Sequence, residues 1–578
     1  MKSLIVMMFI FLVVQTGIAQ ILTGIVYEKD EKESKIPLVG ANIYWEGTQL
    51  GTTTNDAGVF IFDKIESDHL HLIISYIGYQ PDTVDIPADL DSIEIVLSIN
   101  RELNEVVVTG TSLSKYIDEL DVKPTEVITS KELLKADCCN LSESFTTNAS
   151  VDVQFQDAVT GAKQIQLLGL SGIYTQMLFE NIPTLKGVSN TFGLSFVPGP
   201  WMTAISISKG AGSVINGYES ITGQINIDYK KPDDMERYYF NAFQSSHYRT
   251  DLNANASFQL SDELSTMILA HSDFVTKAID DNHDTFADQP EVQQFNLMNR
   301  WNYHSFAGYD SQFGIQIIDE ERTGGQIVTS DPHSSHYGHY DININTKYYS
   351  LFAKNGFVLN DDPYTSIALI LDGIYQTQNS LFGLRGYNLQ QKYFYVNLLF
   401  EAKTEDEVHA ITTGGSYFFD QYKEDFDALN FFRKESVPGV FVEYNFSPSN
   451  QISVVPGVRV DFHNLYGTFF TPRIHFKYNV DENTSLKISG GKGYRSVNLL
   501  AENLYYLASS RNFVIIDEPS YEEGWNYGFN LNQYVPMGRR DLRLTLEYYH
   551  TDFVKQTVVD IDSDVRQVRF YNLNGESY

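Results

Sequence analysis

The chain has almost no cysteine: two residues in 578, and they are adjacent. One neighbouring pair cannot cross-link distant segments, so a disulfide-stapled scaffold is excluded. Positive charge is also scarce. Lys and Arg number 41 against 74 Asp and Glu, for a formal net charge of −33. Such a surface repels phosphate backbones, which excludes nucleic acid as a partner. Beyond residue 20 no apolar run approaches the ~18 residues of a membrane-spanning helix. His-Glu-x-x-His is missing. The glycines after Lys209 have the wrong spacing for a dinucleotide loop, and no Gly-Lys-Ser/Thr follows them. The metalloprotease and nucleotide-loop readings are thereby removed.

What is abundant is tyrosine (37), phenylalanine (37) and glycine (39). Lys2, the apolar run Leu4 to Val14 and the small-x-small site Gly17-Ile18-Ala19 make residues 1–19 a cleaved secretory signal peptide. Residues 20–100 hold short alternating runs such as LTGIVYEKD and LHLIISYIGYQP. Turn residues such as Asn55-Asp56-Ala57-Gly58 separate them, and the pattern predicts a small β-sandwich of Ig or transthyretin type. Residues 101–116 form a linker around the β-prone run Glu105-Val106-Val107-Val108-Thr109-Gly110. An extended segment of this kind can pair with a partner's sheet edge through main-chain hydrogen bonds. Residues 117–234 read as α/β. Helices start at Ser130-Lys131-Glu132-Leu133 and after Asn140 or Ser142, and IQLLGL, TQMLFENI, AISISKG and GQINIDYKK are strands.

From residue 235 to 578 the period becomes two. DLNANASFQL sets Leu252, Ala254, Ala256, Phe258 and Leu260 against Asp251, Asn253, Asn255, Ser257 and Gln259. QFNLMNRWNY opposes Phe295, Leu297, Trp301 and Tyr303 to Asn296, Arg300 and Asn302, and FGIQIID repeats the pattern. Roughly fifteen segments of about ten residues follow this rule, the signature of a transmembrane antiparallel β-barrel. One face meets lipid and the other a wet lumen, and closure pairs every backbone group. Tight turns (Ser261-Asp262-Glu263, Ser447 to Asn450) alternate with longer polar loops (276–293, 321–344). Tyr303, Phe306, Tyr348, Tyr349, Tyr548 and Tyr549 suit the interfacial aromatic girdles.

These stretches carry a resemblance. PLVGANIYWEGTQLGTTTNDAGVF is similar to the carboxypeptidase-regulatory-like domain, a non-catalytic module. IQLLGLSGIYTQMLFENIP (165–183) and ISISKGAGSVINGYESITGQINIDYKKP (205–232) resemble the two signature stretches of the plug of TonB-dependent outer-membrane receptors. Gly169 and Gly172 lie in the first stretch; Gly210, Gly212, Gly217 and Gly223 match in the second. Glu105–Gly110 resembles the TonB box. Two departures stand out: the family's Arg-Gly and Asp-Gly are here Leu168-Gly169 and Glu180-Asn181, and the lost Arg removes a charged partner in the plug or toward the wall. Family barrels have about 22 strands, so the resemblance implies a chain lacking its last several strands; a smaller barrel closed differently is the alternative.

The resemblance implies energised import in the outer membrane. A scarce cargo binds the outer loops and plug apex of a monomeric barrel set in outer-membrane lipid, and the TonB energising complex pairs with 105–110 and pulls. The commonest cargo in the family is a ferric siderophore or related metal chelate. Oligosaccharide, haem or copper import, and surface binding without transport, are the alternatives. Such import makes and breaks no bond, so the resemblance implies no enzyme, no catalytic residues and no required cofactor; a metal or metal chelate would be cargo. His333, His336 and His339 at three-residue spacing offer imidazoles to a metal or haem iron. Cys138 and Cys139 remain open between a strained disulfide, buried filler, and a soft-metal site with Met177 or Met202 as thioether partner.

Overall fold

The computed structural model describes residues 21–29, 35–45, 48, 51–55, 57–64, 70–76, 79, 82–87, 90–97, 115–135, 139–187, 189–233, 236–305, 308–327, 339–359, 364–427, 429–537 and 540–575. Among them no helix is long and apolar enough to cross a membrane. The chain divides into two compact units, 1–111 and 112–578.

The first unit is the expected sandwich. Ile21–Lys29 pairs with Lys35–Pro37, Val59–Asp63 and, in parallel, Ser92–Leu97; the second sheet runs Gly51–Thr53, Asn42–Trp45, Leu70–Ser75, Asp82–Ile86. Alternate residues of both sheets, among them Leu22, Val26, Ile43, Trp45, Phe60, Leu72, Ile74 and Ile95, meet in one core. The Asn55–Gly58 turn forms as the sequence predicts. Asn55 Oδ1 accepts from the amides of Ala57 and Val59, and Gly58 sits at φ +70° where a Cβ would meet the Val26 carbonyl at 2.8 Å.

The second unit is a wall around a filler. The wall is a 17-stranded sheet from Tyr238–Gln244 to Gln567–Asn574, in which consecutive long strands pair antiparallel. Its exposure pattern inverts that of a soluble protein. Leu252, Phe295, Leu297, Ile315, Leu351, Leu398 and Val440 are exposed on the outer face, while Asp251, Asn253, Asn296, Arg300 and Glu320 are buried inside. The girdle assignment needs correction. Successive strand residues point to opposite faces, so only one of each adjacent tyrosine pair faces out: Tyr349 and Tyr548 do, whereas Tyr348 is buried in the lumen. The loop assignment changes too. Residues 321–325 continue the strand Tyr309–Gly325, and Glu320 is a lumenal group paired with Arg322. Several far-end loops shrink to tight turns because strands of 18 to 21 residues carry the wall onward.

The filler, from Lys115 to about Pro232, is a plug built on a six-stranded sheet. Its order is Ile182–Pro183, Thr175–Phe179, Gly223–Tyr229, Met202–Lys209, Thr125–Thr129, Lys115–Asp118. The helices Ser130–Lys135 and Leu141–Ser144 form where predicted. Gly223–Tyr229 lies mid-sheet and is nearly all buried, and its Ile225 and Ile227 pack with Ile205, Ile207, Trp201 and Phe145, joined by wall residues Met267, Leu269 and Met298.

Candidate functional site

The functional geometry is the seam between plug and wall, read from the chain's entry into the plug toward the far end. Lys115–Asp118 is the edge strand of the plug sheet, paired with Thr125–Thr129. Wall side chains hold the segment that follows it. Lys487 Nζ donates to the carbonyls of Asp118 (2.6 Å) and Lys123 (3.2 Å), Ser485 donates to Glu119 Oε2 (2.9 Å), and Lys477 donates to the Glu119 carbonyl. Residues 105–110, the TonB-box assignment, lie outside the described residues.

Mid-height, the two departures from the family pattern acquire roles. Leu168-Gly169 (φ 57° and 76°) and Glu180-Asn181 (φ 47° and 67°) are the central residues of two-residue hairpin turns that need left-handed backbone. Asn and Gly adopt it readily; Leu168 carries local strain of roughly 1 kcal/mol. Glu180 uses its turn to reach the wall. Arg300 Nη1 and Nη2 donate to its two carboxylate oxygens at 2.7 and 3.1 Å, and Lys354 Nζ lies 3.4 Å away. Burial by itself would raise the Glu180 pKa, but Arg300 and Lys354 outweigh it and hold it at about 2. The charge contact expected to vanish with the missing Arg is thus supplied by Glu180. The pairing spans 120 residues; its sequence signal is Arg300, a charge on the inward register of QFNLMNRWNY.

The second signature stretch is gripped by arginines. Arg473 donates to the carbonyls of Ser213 (2.7 Å) and Tyr218 (3.2 Å), Arg459 to Val214 (3.3 Å), and Glu443 accepts from the Ser213 hydroxyl (2.7 Å). The motif glycines permit this closeness. Gly210 has φ +84°, and a Cβ on Gly223 would sit 2.4 Å from the Ser208 carbonyl. Gly212 abuts the Gln224 side chain, Gly172 the Ile165 carbonyl, and Gly217 turns at φ +116°. Gly169 serves its turn alone, with open space where a Cβ would stand.

At the far end, residues 497–511 fold inward over the plug helix Ser189–Phe192. Leu500, Leu504 and Leu507 are buried against Phe192, Tyr387 and Phe426. Arg385 donates to the carbonyls of Ser509 (3.0 Å) and Arg511 (3.1 Å), Tyr340 to Ala508 (2.6 Å), Thr191 to Ala501 (2.8 Å), and Arg433 to Val497. Arg495 bridges Glu502 of this segment and Glu522 of the wall, and Glu522 also accepts from plug Tyr174.

Met177 and Met202, the two alternative thioether partners for the cysteines, lie apart in the plug sheet. Met177 pairs with Ile225 and Met202 with Tyr229, on opposite sides of Gly223–Tyr229. Four residues along and two strand spacings across put them ~16 Å apart. Both belong to the apolar plug core. Cys139 is buried beside Glu143; burial pushes its thiol well up, and its amide donates to Glu143 Oε2 at 2.9 Å. His339 pairs with Asp341 at 2.6 Å. Cys138, His333 and His336 lie outside the described residues, among which no group of three His, Cys, Asp or Glu could hold a metal ion.

Comparison with known proteins agrees with this geometry. Residues 22–108 match the CarboxypepD_reg-like domain, 120–224 the TonB-dependent Receptor Plug Domain, and 210–578 the TonB dependent receptor-like beta-barrel. TonB-dependent receptor SusC of Bacteroides thetaiotaomicron is 29% identical over 215 residues, 34% of this chain and 20% of SusC, so the match spans a fifth of that protein. The siderophore receptor PirA of Pseudomonas aeruginosa superposes with a TM-score of 0.56 at 14% identity, covering 78% of this chain and 79% of PirA. Pseudomonas aeruginosa FpvA, solved with bound pyoverdines, gives 0.61 at 12% identity over 82% of this chain and 71% of FpvA. At such identities the likeness is one of fold. With its barrel match covering more than half of the residues, the chain belongs to the TonB-dependent receptors of the outer membrane.

Proposed function

We propose that the protein imports a scarce metal chelate, of the ferric-siderophore class, through energy-coupled displacement of its plug, after a leader peptide at residues 1–19 has directed it out of the cytoplasm. The observation that carries this reading is the edge strand Lys115–Asp118, which directly follows the linker bearing Glu105–Gly110. A partner strand added at 105–110 and pulled toward the periplasm loads the outermost strand of the plug sheet first. Edge hydrogen bonds then break one after another rather than all at once, and the wall lysines that hold 118–123 are the first resistance. On the outer side, residues 497–511 roof the plug apex, so cargo reaches the plug by displacing or reshaping that roof. PirA and FpvA, with a siderophore receptor's name and a bound siderophore respectively, support the chelate class. The likeness to SusC supports an oligosaccharide as the second reading.

The test is growth of cells with and without the gene on limiting iron, copper, cobalamin and glycans. Loss of growth confined to limiting iron, with the others unaffected, is the expected result. A defect confined to a glycan replaces the chelate by the second reading.

A further inference from the structure

Lys477 and Lys487 are direct cross-strand partners in the wall, and both are lumenal, 7% and 1% exposed. They stand within five residues of the tight turn at 482–483, on the short-turn side that faces the periplasm. Two ammoniums directly opposite one another repel, and more so when buried. Their outer neighbours in the row are neutral: Lys477 also faces Ser453, and Lys487 faces Asn530. The adjoining rows add no acid, with Asn479, Ser485 and Asn532 toward the turn and His475, Ser489 and Gly528 away from it. Past Asn530 stands Glu547, which is already bonded to plug Lys209 at 2.5 Å.

Among the described residues, the carboxylates that face the two lysines all come from the plug. They are Asp118, Glu119 and Asp121, at or just after the end of the edge strand Lys115–Asp118. Asp121 is shared with Lys123 of its own segment, 3.6 Å away. The same segment supplies the carbonyls that accept from the ammoniums, those of Asp118 and Lys123 for Lys487 and that of Glu119 for Lys477. Charge and hydrogen bonding at this corner are therefore balanced only while residues 115–123 are seated. Drawing that segment out takes the carboxylates and the carbonyls away together and leaves both lysines lining the vacated space. A passage lined by one sign of charge between low-dielectric walls concentrates the opposite sign.

We propose that Lys477 and Lys487 form a cationic port at the periplasmic end of the lumen, which binds the oxygen anions of the passing cargo once residues 115–123 have been drawn away. The cargo is then a chelate of net negative charge. The inference rests on the import reading and narrows it to a charge class. An anionic chelate takes over the acceptor positions that the plug segment vacates. A cationic chelate leaves two lumenal donors unmet and adds repulsion.

The test compares cells carrying wild type or the double variant Lys477→Gln/Lys487→Gln. Labelled iron is presented as a trianionic ferric tris-catecholate or as a cationic ferric trihydroxamate, with surface binding measured on the same cells. Heat-modifiable gel mobility checks that each barrel is folded. Wild type is expected to take up the tris-catecholate in preference, and the Gln variant to do so about tenfold more slowly with unchanged surface binding. Lys477→Arg/Lys487→Arg should restore the rate. Lysines that act only as a clamp on residues 118–123 predict the opposite sign, because loosening a clamp leaves uptake equal or faster. Tris-catecholate uptake at the wild-type rate or faster in the folded Gln variant overturns the proposal, as does a rate that the Arg pair fails to restore. Should the Gln pair not fold, the wild-type preference decides: equal or faster uptake of the trihydroxamate, or uptake of neither complex, overturns it. The import reading keeps its own test, dependence of uptake on residues 105–110, which holds or fails whatever the charge of the cargo.

Discussion

Replacing Glu180 by Gln removes the charge of the plug–wall ion pair while keeping the side chain's shape. Arg300 is fully buried, and both of its terminal nitrogens donate to Glu180. Removing one partner of a buried pair costs ~3–5 kcal/mol because the other charge is left uncompensated; the Gln oxygen still accepts one bond, which places the variant at about 3 kcal/mol. Local opening of the plug should then be about 100-fold more populated. Hydrogen exchange reads this directly, with faster exchange of amides in Thr175–Phe179 and Gly223–Tyr229 and little change in the wall strands. The pH dependence has a definite sign. Glu180 is depressed from an ordinary 4.5 to about 2, so its contribution is complete above pH 4.5 and fades as the pH falls through that range toward 2. Protection in Glu180→Gln equal to wild type at pH 7 would refute the reasoning.

Further outcomes follow from the same seam. Gly223→Val should destabilise the plug by roughly 1–3 kcal/mol, since its Cβ would meet the Ser208 carbonyl at 2.4 Å and Leu167 at 2.7 Å; a lower denaturation midpoint for plug fluorescence checks it. Arg385→Ala should loosen residues 509–511 and speed proteolytic nicking of the roof severalfold, leaving barrel heat-modifiability unchanged. Cys139 should resist iodoacetamide in the folded protein at neutral pH and react on unfolding, because burial keeps the thiol protonated; mass spectrometry of labelled peptides distinguishes the two states.

The wall was legible because lipid on one side and polar groups on the other impose period two, so DLNANASFQL and FGIQIID declared both strand and facing. The plug's strands and helix starts were legible for the same local reasons. Contacts between distant segments were not. Nothing local in MLFENIP announces that Glu180 meets Arg300 or that its turn is left-handed, and nothing in SVNLLAENLYYLA shows that Leu500, Leu504 and Leu507 fold into the lumen. An apolar run there reads equally as strand or loop until Phe192, Tyr387 and Phe426 are in place. Adjacent Tyr348 and Tyr349 illustrate the opposite lapse: composition suggested a girdle pair, but strand alternation sends one ring inward.

The central claim is that import is driven by pulling on residues 105–110. Uptake of radiolabelled iron presented as a panel of ferric siderophores of differing charge, by cells carrying wild type or a chain lacking 105–110, tests it most directly, with surface binding measured on the same cells. The account predicts that the deletion leaves binding intact and reduces uptake to the level of cells treated with a protonophore. Uptake at the wild-type rate in the deletion would contradict it.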